Sequence, residues 1–170
     1  LYVREGIELE PLLHGGSQEG GMRPGTHGVA NIVGFGKACE LAWGSIGKDG
    51  DRIAKMADEL ISGLRTTVGA RINGHPVMRI PHIVNATLPG VDSALLCSIM
   101  DELYGISISK GSACCRGKPS HVLSAMGFPK SDCNASFRVC LSKFSKKDDV
   151  QMLCARLQNA IRESKERSFL

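Results

Sequence analysis

Three residues have types and surroundings that could do chemistry. Cys114 stands in the run Gly111-Ser112-Ala113-Cys114-Cys115, with Lys110, Arg116 and Lys118 close by in sequence. Cations and an adjacent helix start favour the thiolate, the form that acts as a nucleophile. The plainer alternative is an ordinary surface cysteine, because a reactive thiol needs a partner that sequence position does not reveal. Arg138 is the one charge in ASFRVCLS. A guanidinium inside a short strand is costly unless it meets an anion, and its planar fork matches a carboxylate bidentately. That carboxylate belongs either to a ligand or to an internal Asp or Glu. Thr26 closes the run Arg23-Pro24-Gly25-Thr26 ahead of an apolar periodicity. A hydroxyl at that point either cradles a phosphate together with free N–H groups or simply caps a helix.

The elements that must position these residues read as α/β. Residues 1–4 resemble the end of a strand, and the stretch HGGSQEGGMRPGT at 14–26 is too rich in glycine for a regular element. With Thr26 as N-cap, Val29, Ile32 and Val33 predict a helix to about residue 43. A polar break at 47–50 separates it from an amphipathic helix carrying Ile53, Met56, Ala57, Leu60, Ile61, Leu64 and Val68. Strands are expected at 77–80 and 83–88, then a helix with Leu95, Leu96, Ile99, Met100 and Leu103, and a strand at 106–109. A short helix at 120–126 ends at Gly127, and His121 falls in its first turn. Phe137, Val139 and Leu141 alternate with Arg138, Cys140 and Ser142, which puts Arg138 on the face opposite the core. Ser145 with Asp148 reads as a capping box, opening a last helix that buries Val150, Leu153, Cys154, Leu157 and Ile161. Residues 1–45 have no sheet of their own to join and read as the tail of something larger.

Composition narrows the class. The 170 residues are 42% hydrophobic and 22% charged, values of a globular chain with room for one core. The net charge of +4 is scattered along the chain, which gives nucleic-acid binding little support. No apolar run approaches the ~18–20 residues that span a bilayer, so no membrane role is expected. The first residue is leucine, which leaves room for an upstream segment and closes the front end as a source of targeting information. Seven cysteines, an odd number without framework spacing, point to reduced thiols and an intracellular setting, in cytoplasm or an organelle such as the mitochondrion. Without CxxC or HxxxH pairs, no metal site is expected.

The order of these motifs is more specific than any one of them. LYVREGIELEPLLHGGSQEGGMRPGT, then GSAC followed by PSHVLSAMG, then SFRVCLSKF, resembles the C-terminal part of the cysteine desulfurases and related selenocysteine lyases. These are pyridoxal phosphate (PLP) enzymes of the class V aminotransferase family. The resemblance implies the PLP-dependent transferase fold type I, in which residues 1–25 would end the large PLP-binding domain, 26–45 would form a connecting helix, and 46–170 would be the small C-terminal α+β domain. It implies that Cys114 attacks the sulfur of PLP-bound L-cysteine, becoming a persulfide and leaving alanine. Arg138 would hold the substrate carboxylate. Thr26 would reach the PLP phosphate of the neighbouring subunit, so that the active site belongs to a homodimer, with a sulfur acceptor or Fe-S scaffold protein as partner.

Three departures accompany the likeness. The family's Schiff-base lysine lies in a His-Lys motif upstream of the strand matched by LYVR, and no lysine here follows a histidine. The isolated 170 residues are therefore expected not to turn over. The stretch from Cys114 to Pro119 is shorter than in many members, with Cys115 an extra thiol. His27-Gly28 and Ser142-Lys143 stand where Glu-Asn and Gly-Arg are usual. The alternatives are a selenocysteine lyase, or a cofactor-free binding or sulfur-carrier module.

Overall fold

A computed structural model describes residues 1–111 and 119–167 and divides the chain into two compact units, Leu1–Ile46 and Gly47–Leu170. In the first unit a short 3-10 turn, Gln18–Gly21, interrupts an otherwise irregular glycine-rich stretch. Residues 1–4 form no strand, because no described segment offers them a ladder; Arg4 instead closes a turn through its carbonyl, which accepts from the Ile7 N–H.

Helix α1 runs unbroken over Val29–Val68, so neither the stop near 43 nor the polar break at 47–50 is observed. Helix propagation adds one hydrogen bond for each residue fixed, which offsets the roughly 1 kcal/mol that each glycine costs. Its last five turns carry the apolar stripe that the sequence predicts, with Ile53, Met56, Ala57, Leu60 and Leu64 buried.

The second unit is built on a three-stranded antiparallel sheet, β1 (Arg71–Ile72), β2 (Ile83–Thr87) and β3 (Ser136–Cys140), in that spatial order. Period-two alternation divides its faces. Val84, Ala86, Phe137 and Val139 point into one core with the stripe of α1, with Leu96, Ile99 and Met100 of α2 (Ser93–Tyr104), and with Val150, Leu153 and Leu157 of α5 (Lys147–Arg167). Helix α2 is held at both ends as polar chemistry requires. The Asp92 carboxylate accepts from the Ala94 N–H, and Gly105 closes the C-terminus in the left-handed region at φ +61°. Two short helices, α3 (His121–Ala125) and α4 (Lys130–Asn134), lie between α2 and β3 in the chain. Ser120 caps α3, and α4 has no counterpart in the periodicity.

Three further expectations are corrected. Residues 77–80, flanked by Pro76 and Pro81, are not a strand, because His75 Nδ1 takes the N–H groups of Val77 and Met78 and leaves no ladder to form. The segment at 106–109 contributes a single bridge, Ser109 to Arg138. At α5 the capping pair sits one residue further on: the Asp149 carboxylate accepts from the Lys146 N–H at 2.8 Å. The Ser145 hydroxyl instead accepts from the Ser142 N–H at 3.0 Å.

Helices α1 and α5 meet in this core with no room for a side chain at Gly63. A Cβ built on Gly63 would lie 2.6 Å from Cys154 Sγ, well inside van der Waals contact. Gly63→Ala is therefore expected to destabilise the protein by about 1–3 kcal/mol through overpacking. In a Cys154→Ala background the same change should become neutral or stabilising, since only the helix-propensity gain remains. Chemical denaturation of the four variants of this cycle checks the change of sign.

Candidate functional site

Opposite the apolar face, the sheet carries a polar one. Arg71 pairs with Thr87, which pairs with Ser136; one step along, Asn85 pairs with Arg138, and the Asn73 N–H donates to the Asn85 carbonyl at 2.9 Å. Alternation puts all six side chains on the same side. The Arg138 N–H donates to the Ser109 carbonyl at 2.7 Å, and its own carbonyl accepts from the Ser109 N–H at 3.0 Å. Both main-chain groups of Arg138 thus face Ser109. Its pairing with Asn85 is then of the non-hydrogen-bonded kind, in which opposed Cα atoms come to about 4.5 Å and side chains sit closest.

Beside Arg138 lies a buried polar network. Asn73 Nδ2 donates to Asn85 Oδ1 at 2.7 Å and to Thr87 Oγ1 at 2.8 Å. Thr87 Oγ1 and Ser136 Oγ are 2.8 Å apart, and Ser136 Oγ donates to the Asp132 carbonyl at 2.6 Å. Asp132 also pairs through its carboxylate with Arg71, whose guanidinium lies over the Phe128 ring. With Asn73, Thr87 and Ser136 all buried, each of these bonds removes a desolvation cost of roughly 1–3 kcal/mol.

A cleft of about 270 Å³ opens where this face ends, lined by Asn73, Asn85, Gly111, Ser120, His121 and Arg138 among others, and none of its lining residues is acidic. Arg138 Nε is buried without a hydrogen-bond partner, and no ion pair engages the guanidinium among the described residues. Of the two readings open for Arg138, an internal carboxylate is not seen among the described residues. A guanidinium whose Nε is buried without a partner has the chemistry to receive an anion.

The other two residues singled out by sequence stand differently. Cys114 lies outside the described residues; Gly111, the last described residue before it, is in the left-handed region at φ +62° and lines the cleft, as does Ser120 further along the chain. Thr26 belongs to the first unit and is not the N-cap of α1. The first helical bond runs from the Ile32 N–H to the Gly28 carbonyl, while Arg23 Nη1 donates to the carbonyls of Gly25 and Thr26, at 3.4 and 3.2 Å, and turns the chain before the helix begins. Thr26 remains an exposed hydroxyl beside a guanidinium, three residues ahead of a helix start, and that combination suits a phosphate.

Asn73 and Asn85 were not among the residues predicted. The alternation of IVNAT places Asn85 with Thr87 away from the core, a signal readable in sequence, whereas the pairing with Arg138 is not. Elsewhere, burial raises the thiol pKa of Cys97 and of Cys154, the nearby Lys110 partly opposing this at Cys97. Raised thiol values disfavour the nucleophilic form, so neither cysteine is suited to the chemistry considered for Cys114. Among the described residues there is no cluster able to hold a metal ion and no helix long and apolar enough to cross a membrane.

The profile of the aminotransferase class-V family matches residues 1–153. The chain belongs to that family. Among relatives in this class V family, the cysteine desulfurase IscS of Methanosarcina thermophila is 40% identical over 152 residues, covering 88% of this chain and 37% of the relative. Cysteine desulfurase IscS 1 of Archaeoglobus fulgidus is 33% identical over 172 residues, covering 100% of this chain and 45% of its own length. Among solved structures, a NifS-like protein superposes with a TM-score of 0.79 at 29% identity, over 99% of this chain and 42% of that one. A NifS-like protein from Rickettsia africae gives 0.78 at 28% identity, over 91% of this chain and 40% of its own. The class V chain thus spans less than half the length of these proteins, and it shares the fold that the PLP-dependent fold type I expectation requires, as a mixed α/β structure with a small antiparallel sheet.

The network is tested by Asn73→Ala, which leaves Thr87 and Asn85 without their shared donor. It is expected to lower unfolding free energy by about 1–3 kcal/mol in denaturant titrations of the whole protein, against a change within about 0.5 kcal/mol for an exposed control such as Lys165→Ala.

Proposed function

We propose that this chain is the C-terminal part of a PLP-dependent cysteine desulfurase. The observation that carries the reading is Arg138: a guanidinium with a buried, unpartnered Nε, bordering a cleft whose described lining holds no acidic residue and includes Gly111, the last described residue before the segment that bears Cys114. Likeness to cysteine desulfurases named IscS supports the substrate class.

In this reading Arg138 binds the carboxylate of L-cysteine and fixes its orientation. Cys114, three residues beyond Gly111 in sequence, attacks the substrate sulfur as thiolate. The substrate carbon–sulfur bond breaks, a disulfur bond forms on Cys114, and the products are alanine and the Cys114 persulfide. The persulfide then passes its outer sulfur to an acceptor, an Fe-S scaffold or another sulfur-transfer protein. Pyridoxal phosphate supplies the electron sink that makes the carbon–sulfur bond breakable. Thr26 would contribute to holding its phosphate, in the manner of a homodimer whose subunits complete each other's sites; the exposed hydroxyl next to Arg23 is consistent with that task. The Schiff-base lysine would come from outside these 170 residues.

The test uses the whole protein with cofactor bound. Cys114→Ala is expected to reduce release of sulfide from L-cysteine under reducing conditions by at least about a hundredfold while the cofactor absorbance persists. Arg138→Ala is expected to raise KM by about ten- to a hundredfold, the loss of a charge-assisted pair. Undiminished sulfur release from the Cys114→Ala protein would overturn the assignment.

A further inference from the structure

We infer that Asn85 is a second carboxylate donor beside Arg138, and that the two together select for a carboxylate over its neutral analogues; this rests on the reading of the cleft as the amino-acid site. The direction of the Asn85 amide is fixed by its neighbours. The Asp132 carbonyl can only accept, so the Ser136 hydroxyl at 2.6 Å must donate its proton there. The Thr87 hydroxyl at 2.8 Å must then donate to Ser136. With that proton committed, Thr87 can only accept from Asn73, which identifies the Asn73 atom at 2.8 Å as Nδ2 and leaves the 3.1 Å approach to Oδ1 without a proton. The same Nδ2 lies 2.7 Å from the Asn85 amide, so the atom of Asn85 that meets it is the oxygen.

The oxygen of Asn85 is thus engaged in the network, and its NH2 group is the end left over. Asn85 lines the cleft and stands directly across the non-hydrogen-bonded pair from Arg138. Two donors of different charge therefore border one space, a neutral amide and a guanidinium. An aspartate at 85 would have paired with Arg138 and filled the site; asparagine supplies a donor without competing for the cation. A carboxylate has about four lone-pair positions and can take both, whereas a carboxamide presents a single acceptor and brings an NH2 of its own against two donors.

The experiment measures binding, not turnover, by calorimetric titration of the cofactor-loaded whole protein with L-alanine and with L-alaninamide. The wild-type protein is expected to prefer L-alanine, and Asn85→Ala to cut that preference about tenfold. Asn85→Ser, which keeps an acceptor for Asn73 but shortens the donor, should fall between the two and serves if the alanine variant does not fold. Preference unchanged in the neutral variants, with both ligands weakened alike or not at all, overturns the inference and reduces Asn85 to a structural role. Arg138→Ala separates the two claims: if it too leaves the preference untouched, the cleft is not the carboxylate site and the functional reading fails first.

Discussion

The period-two alternation of β2 and β3 is the constraint on which the second unit depends. Residues 84, 86, 137 and 139 face the core that α1, α2 and α5 complete, and the residues between them face the cleft. A slip of one residue along β3 would drive Arg138 into the hydrophobic core and put Phe137 into water. Hydrophobic burial thus determines where the guanidinium points. The same register sets its neighbour, because the bridge to Ser109 consumes the main-chain groups of Arg138 and brings Asn85 into the close type of pair.

The two faces of the sheet are held by different physics. The apolar side supplies transfer free energy and is closely packed, as the lack of room for a Cβ at Gly63 illustrates. The polar side is rigid for a different reason: Asn73, Thr87 and Ser136 are buried and bonded to one another, so none can turn away without leaving a desolvated atom unmet. Among the described residues, only at Arg138 Nε does this satisfaction stop. The exposed apolar residues of the first unit, Phe35 and Trp43 among them, belong to a chain that spans less than half of its relatives' length.

Much of the fold was legible because strong periodicities coincide with burial. The stripes of α1, α2 and α5 and the alternation around Arg138 are such cases. What sequence obscured were choices settled by single hydrogen bonds. His75 consumes the N–H groups that a strand at 77–80 would need. The Ser145 hydroxyl accepts from Ser142, and the capping interaction is made by Asp149. Arg23 takes the Thr26 carbonyl and delays the start of α1. The site was legible in part for a similar reason. Residue type marks Arg138 as needing an anion, but Asn73 and Asn85 acquire meaning only from which strands lie side by side.

The directional relay from Asn73 to the Asp132 carbonyl has one more consequence. Hydroxyls can reverse their sense and amides can flip, but a peptide carbonyl has no proton to give, so the chain of bonds has a fixed end. The donor character of the cleft wall is inherited, through two hydroxyls and an amide, from a main-chain oxygen that no side-chain exchange can edit. Replacements at 87 or 136 can sever that inheritance. None of them can invert it.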